Sequence, residues 1–194
     1  EITRDMAWLE KECASFAADF EGKLADLDAD AMLGAVQRYE QIDVIAGRIM
    51  SFAGLRYYQC TPDSARAKFM ADCQDKITTY TTPLVFYGLD FNRLEDDHLA
   101  GLLAANADLA RYKPVFDRMR AMKPHQLSDE LEKFLHDQST VGSAAWNRLF
   151  DETMAGLEFT VDGKTLNLEA TLNLLTEQAR SKREAATHAL AAVF

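Results

Sequence analysis

Apolar residues three and four apart dominate the first half of the chain, and little interrupts them. Met6, Leu9, Cys13, Phe16 and Phe20 form one series. Leu33, Val36, Tyr39, Ile42, Ile45, Ile49 and Phe52 form a second, and Ala65, Phe69, Cys73, Ile77, Tyr80 and Leu84 a third. Residues at this spacing share one side of an α-helix, so each series predicts an amphipathic helix with one face to bury. Only 4 Pro and 9 Gly occur in 194 residues, which favours long helices over a turn-rich β fold. Asp28 or Asp30 is the expected N-cap of the second helix. Thr61-Pro62 reads as the restart of the third, with threonine capping and proline in the first turn. Pro83 should kink or shorten that helix. Two helices of about 25 residues would each span roughly 38 Å and pack antiparallel.

From Asp90 the elements shorten. Asp96 to Leu103, Ala107 to Arg111 and Pro114 to Met122 read as short helices, the last broken at Lys123-Pro124. Ser128 can cap another helix, whose early Asp129, Glu130 and Glu132 suit its dipole. Thr140 to Met154 gives one more, with Trp146, Leu149 and Phe150 on one side. Then the period changes. Leu157, Phe159 and Val161 alternate with polar residues, Asp162-Gly163 follows, and Leu166 and Leu168 continue the alternation. An Asp-Gly pair between alternating runs predicts a β-hairpin over 157–168. Helix resumes near Glu169 and again after Thr176, ending in an alanine-rich stretch. The expected fold class is mainly α: long antiparallel helices, then shorter helices, with one hairpin near 157–168. Residues 1–194 read as a single helical domain, with a long-helix region over 1–92 and short helices plus hairpin over 93–194. The chain begins at Glu1 and ends within a helical pattern, so both ends read as cut.

A composition of 48% hydrophobic and 27% charged residues can build a packed core. The formal charge of −10 repels phosphate backbones, which argues against a nucleic-acid partner. The longest uncharged run, Ile77 to Leu89, is too short to cross a bilayer, and no signal peptide opens the sequence. Cys13, Cys60 and Cys73 are odd in number and include no CxxC pair. They read as core or half-buried residues of a reducing, cytoplasmic compartment rather than as disulfides or zinc ligands.

The sequence carries few signals of catalytic chemistry. No two of His98, His125, His136 and His188 are four apart and none precedes glutamate, so the zinc-binding HExxH pattern is missing. Glu95 and His98 have the ExxH spacing of di-iron bundles, but the second ExxH that such a site uses does not occur; a solvated, acidic helix start is the plainer reading. His125 sits in a turn before a helix, where it fits a bond to a backbone carbonyl better than a ligand contact. His136 and His188 read as surface or boundary residues. No GxSxG, GxGxxG or GxxxxGKS/T frame occurs. Tyr57-Tyr58 reads as core or cap packing, with a groove-lining role as the alternative, and most other aromatics fall at core spacing. No catalytic, cofactor-binding or metal residue is assigned.

Two segments resemble a known family. Ser139-Thr140-Val141-Gly142-Ser143-Ala144-Ala145-Trp146-Asn147-Arg148-Leu149-Phe150-Asp151-Glu152 is similar to a stretch in the N-terminal region of oligoendopeptidase F and its relatives, of the M3 family of zinc metallopeptidases. Lys123 to Lys133 resembles the preceding segment of that family, a KPHxLS-type turn into an acidic helix. The order of elements agrees: this turn, the Trp-Asn-Arg-Leu-Phe helix, a short hairpin and an alanine-rich helix. Ala65 to Phe69 and Leu89 to Asn92 fit more loosely. The resemblance implies a non-catalytic N-terminal domain of a peptidase that cleaves short peptides in a deep channel. Zinc would be held by an HExxH and a downstream glutamate, all beyond this region, so the catalytic domain is absent and no family ligand carries over to any position. The implied partners are the protein's own catalytic domain and, in the parent, short peptides, with no membrane; an excised domain could also form a dimer of no biological role. Two other readings stand beside this one: a free-standing helical module that binds protein partners, and a small enzyme whose site is assembled from distant residues such as His125 with carboxylates.

Overall fold

A computed structural model describes all residues, 1–194. The chain opens with α1 (Ile2–Phe20) and α2 (Ala29–Tyr58), then turns through five residues into α3 (Ser64–Thr81), which packs back on both. At 30 residues α2 is about 45 Å long at 1.5 Å per residue, longer than its apolar series alone suggests. Asp28 caps it, accepting a 2.8 Å bond from the Ala31 amide. The restart at Thr61-Pro62 lies further along than expected. The cap of α3 is Asp63, whose carboxylate accepts from the Ala65 and Arg66 amides, while Thr61 and Pro62 lie in the turn before it. Aspartate reaches both free amides from its own position, so threonine is left no helix end to cap. Pro83 ends α3 through a tight turn over Thr82–Leu84 and starts α4 (Val85–Arg93).

The shorter helices follow as α5 (Asp96–Ala105), α6 (Ala107–Ala110) and α7 (Lys113–Ala121). Another tight turn, Lys123–His125, leads to α8 (Asp129–Asp137). Ser128 stands at its N-cap position but makes no side-chain bond there; the Leu127 amide is met by Glu132 instead. A turn over Gln138–Thr140 precedes α9 (Ser143–Gly156), which starts three residues later than the sequence suggests. Strands β1 (Phe159–Val161) and β2 (Lys164–Leu166) pair antiparallel, with Phe159 opposite Leu166. Asp162 and Gly163 take φ of 49° and 76°, the two left-handed positions that a two-residue hairpin turn uses. The chain closes with α10 (Leu168–Leu174) and α11 (Arg180–Val193). The fold is mainly α with a single hairpin, and no helix is long and apolar enough to cross a membrane.

The main core lies among α1–α7 and is centred on Phe16. Its ring is 4.8 Å from Phe20, 5.6 Å from Tyr87 and 5.8 Å from Tyr39, centroid to centroid. Arg38 lies over Phe16 and Phe20 while bonding Glu12 and Asp19, which seals this end of the core with a satisfied cation. A second, smaller core joins the hairpin to α11: Phe159 and Val161 pack with Ala189, against Leu157, Leu166, Leu174 and Leu190.

Candidate interaction surface

The residues of possible chemistry do not converge. Glu95, His98, His125 and His188 are exposed, and His136 Nε2 lies 3.1 Å from the Thr81 hydroxyl as part of the packing of α8. No group of three or more His, Cys, Asp or Glu side chains is placed to hold a metal ion. Cys13 and Cys73 are buried, and burial pushes both thiols up, Cys13 to about 11, so neither is a ready nucleophile. Cys60 is exposed, against the expectation of a core or half-buried residue, because it falls in the turn after α2 rather than on a packed face. Tyr57 is buried, and its hydroxyl has no protein partner; burial first, then Glu152 and Asp151, raise its pKa. Its neighbour Tyr58 is 61% exposed and points a hydroxyl at Asp151, 3.4 Å away, so only the first of the pair is core.

The unusual geometry is in α8 and α9. Neither contributes a buried residue, although α8 carries Leu131, Phe134 and Leu135 and α9 carries Trp146, Leu149 and Phe150. All six are more than half exposed, Trp146 at 70%. What α8 turns towards the body is polar, and α9 turns Arg148 and Asp151 inward beside the half-buried Ala144, Ala145 and Met154. From α8, Asp129 binds Arg93, Lys133 reaches Glu21, His136 meets Thr81, and Asp137 accepts from Thr82. The Arg93 guanidinium beside Asp129 holds that carboxyl below its ordinary range. From α9, Arg148 donates to Gln74 and to the Thr140 carbonyl, and Asp151 faces Tyr58. On a helix at 100° per residue, Leu131 and Leu135 lie opposite Lys133, and Trp146 and Phe150 lie opposite Arg148. Helix α8 is therefore packed polar side in, and α9 turns its aromatic side chains outward.

The sequence places Trp146, Leu149 and Phe150 on one side of a helix, as found. Core spacing wrongly implies that this side is buried. Periodicity identifies the apolar face without saying whether anything covers it. The polar residues at 129, 133 and 136–137, with partners on α3, on α4 or in the turns after α1 and α3, are the sign of the inversion, and those partners lie dozens of residues upstream.

This surface falls inside the part of the chain that has recognisable relatives. Residues 90–159 match the family model described as oligopeptidase F. No curated protein matches the chain. Among solved structures, oligoendopeptidase-F from Enterococcus faecium has the same fold, with a TM-score of 0.83 and 21% identity over 100% of this chain. The match takes in 39% of that protein, so the chain spans about two fifths of the length of its oligoendopeptidase-F relative. The matched residues 90–159 include the whole of α8 and α9, with their outward apolar faces.

Proposed function

We propose that this chain is the N-terminal, non-catalytic domain of a zinc-dependent oligopeptidase of the oligoendopeptidase F type, one that hydrolyses short peptides. The observation that carries this is a fold likeness running the full length of the chain but covering only 39% of a peptidase, joined to the oligopeptidase F match over 90–159. The residues present do not suit a zinc site: the sequence has no HExxH, and its histidines are scattered. No step of hydrolysis is routed through this chain. Its part is mechanical. A stiff helical body beside a substrate channel limits entry by size, and as a wall or lid it would exclude water from the bound peptide.

The hairpin fits a scaffolding role better than peptide capture, because Phe159 and Val161 of β1 are committed to α11. Three cysteines without a disulfide fit a reducing, cytoplasmic setting. The second reading, a free-standing helical interaction module, is favoured by the outward apolar faces of α8 and α9. One comparison separates the two. The polypeptide translated from the natural reading frame should contain HExxH downstream of residue 194 and cleave short fluorogenic peptides but not folded proteins. The 194-residue chain alone should cleave neither, with or without added zinc. A stop codon close after Phe194 would remove the peptidase reading and leave the interaction module.

A further inference from the structure

We infer that the apolar sides of α8 and α9 are the seat on which the catalytic remainder of the polypeptide packs, an inference that rests on the peptidase reading above. The outward residues Leu127, Leu131, Phe134 and Leu135 of the α8 region and Trp146, Leu149 and Phe150 of α9 carry no charge. Their inner sides are already engaged: Asp129, Lys133, His136 and Arg148 each have a partner on the helical body. Neither helix can turn over to hide its apolar side without breaking those contacts and burying the charges. Large apolar side chains thus held outward need a cover from outside the described chain.

The composition fits a permanent cover. Aromatic and aliphatic side chains without charge mark the centre of a stable interface, where charged residues are depleted. The page also indicates which cover. The relative that shares this fold is a far longer polypeptide, of which the matched region is 39%, so most of its mass is available to lie against this domain. The seven residues all lie within the oligopeptidase F segment. A second copy of the chain is the poorer occupant, because each copy carries a net charge of −10 and association would bring like charge together.

The test compares the 194-residue chain with the polypeptide from the natural reading frame by hydroxyl-radical footprinting. Leu131, Phe134, Trp146 and Phe150 should label freely in the short chain and several-fold less in the long one, whereas Phe16 stays protected in both. The double variant Phe134→Asp, Trp146→Asp should leave the Tm of the short chain unchanged and lower that of the long one. Equal labelling of these residues in both polypeptides would overturn the inference while leaving the domain assignment intact. Protection in the short chain, with a dimer by sedimentation that the double variant abolishes, would overturn it in favour of a second copy. A reading frame that stops after Phe194 would overturn the domain assignment as well.

Discussion

Phe16 and Phe134 both sit on amphipathic helices, and the molecule uses them in opposite ways. Phe16 is 0% exposed and meets four aromatic rings; Phe134 is 56% exposed, on a helix held to the body by its charged side. The contrast extends to their surroundings. In the α1–α3 bundle the apolar faces are shared among three helices, and caps are made by Asp28 and Asp63. In α8 and α9 no residue is buried and neither N-cap residue makes a side-chain bond. The bundle therefore holds itself together, largely by removing apolar surface from water. Segment 127–156 is docked by ion pairs and hydrogen bonds, which contribute less in water because solvent competes for them. Specificity of placement, more than stability, is what such contacts supply.

The largest expected effect lies in the bundle. Phe16→Ala should lower unfolding free energy by about 3–5 kcal/mol, the usual loss for a buried phenylalanine, measured by urea denaturation. A loss below about 1 kcal/mol would mean that this core is far looser than its packing indicates. Next come the caps. Asp63→Ala should cost about 1 kcal/mol, because two amides at the start of α3 lose their acceptor. Ser128→Ala should cost much less, since that hydroxyl accepts no helix amide. Equal losses at the two caps would break the comparison.

Acid should affect both regions through different aspartates. Asp5 is buried, which alone would disfavour its charge, but the hydrogen bond from Arg48 at 2.6 Å and the charges of Arg48 and Arg4 outweigh this and lower its pKa. Asp129 is lowered first by its bond from Arg93. A carboxyl with a folded pKa below the unfolded value of about 3.9 adds stability above that pH and loses it as pH falls through the folded value. Stability should therefore be level near neutrality and fall below about pH 4, where these carboxylates take up protons. Arg93→Met should remove the part of that fall due to Asp129, seen as faster amide exchange in α8 at neutral pH and a weaker acid dependence there. An α8 whose exchange is the same in the variant at every pH would show that this pair does not hold it.

Much of the fold is legible in the sequence because its signals are local. The three apolar series, the break at Lys123-Pro124 and the Asp-Gly hairpin each depend on neighbours within a turn or two. The cap of α3 is Asp63 rather than Thr61, because threonine and aspartate both suit such a position and only geometry chooses between them. The candidate surface was legible only in part. That Trp146, Leu149 and Phe150 share a side follows from their spacing; that the side faces out depends on Arg148 finding Gln74 and Asp151 finding Tyr58, contacts spanning 74 and 93 positions. No local pattern encodes those. The exposure of Cys60 has the same origin: a core residue and a turn residue look alike until the end of α2 is fixed.

The smallest effect carries the comparison furthest. Phe134→Ser should change the stability of the 194-residue chain by no more than about 0.5 kcal/mol, as an exposed substitution does, although the same change at Phe16 would be severe. More than half of the residue already lies in water, so its removal opens no closed cavity and strands no partner. A clear loss in urea denaturation would mean that the ring is covered in solution, by the body or by another copy, and that α8 is not packed polar side in. A slight gain would instead strengthen the contrast, since taking an apolar ring off a wet surface removes an unfavourable exposure.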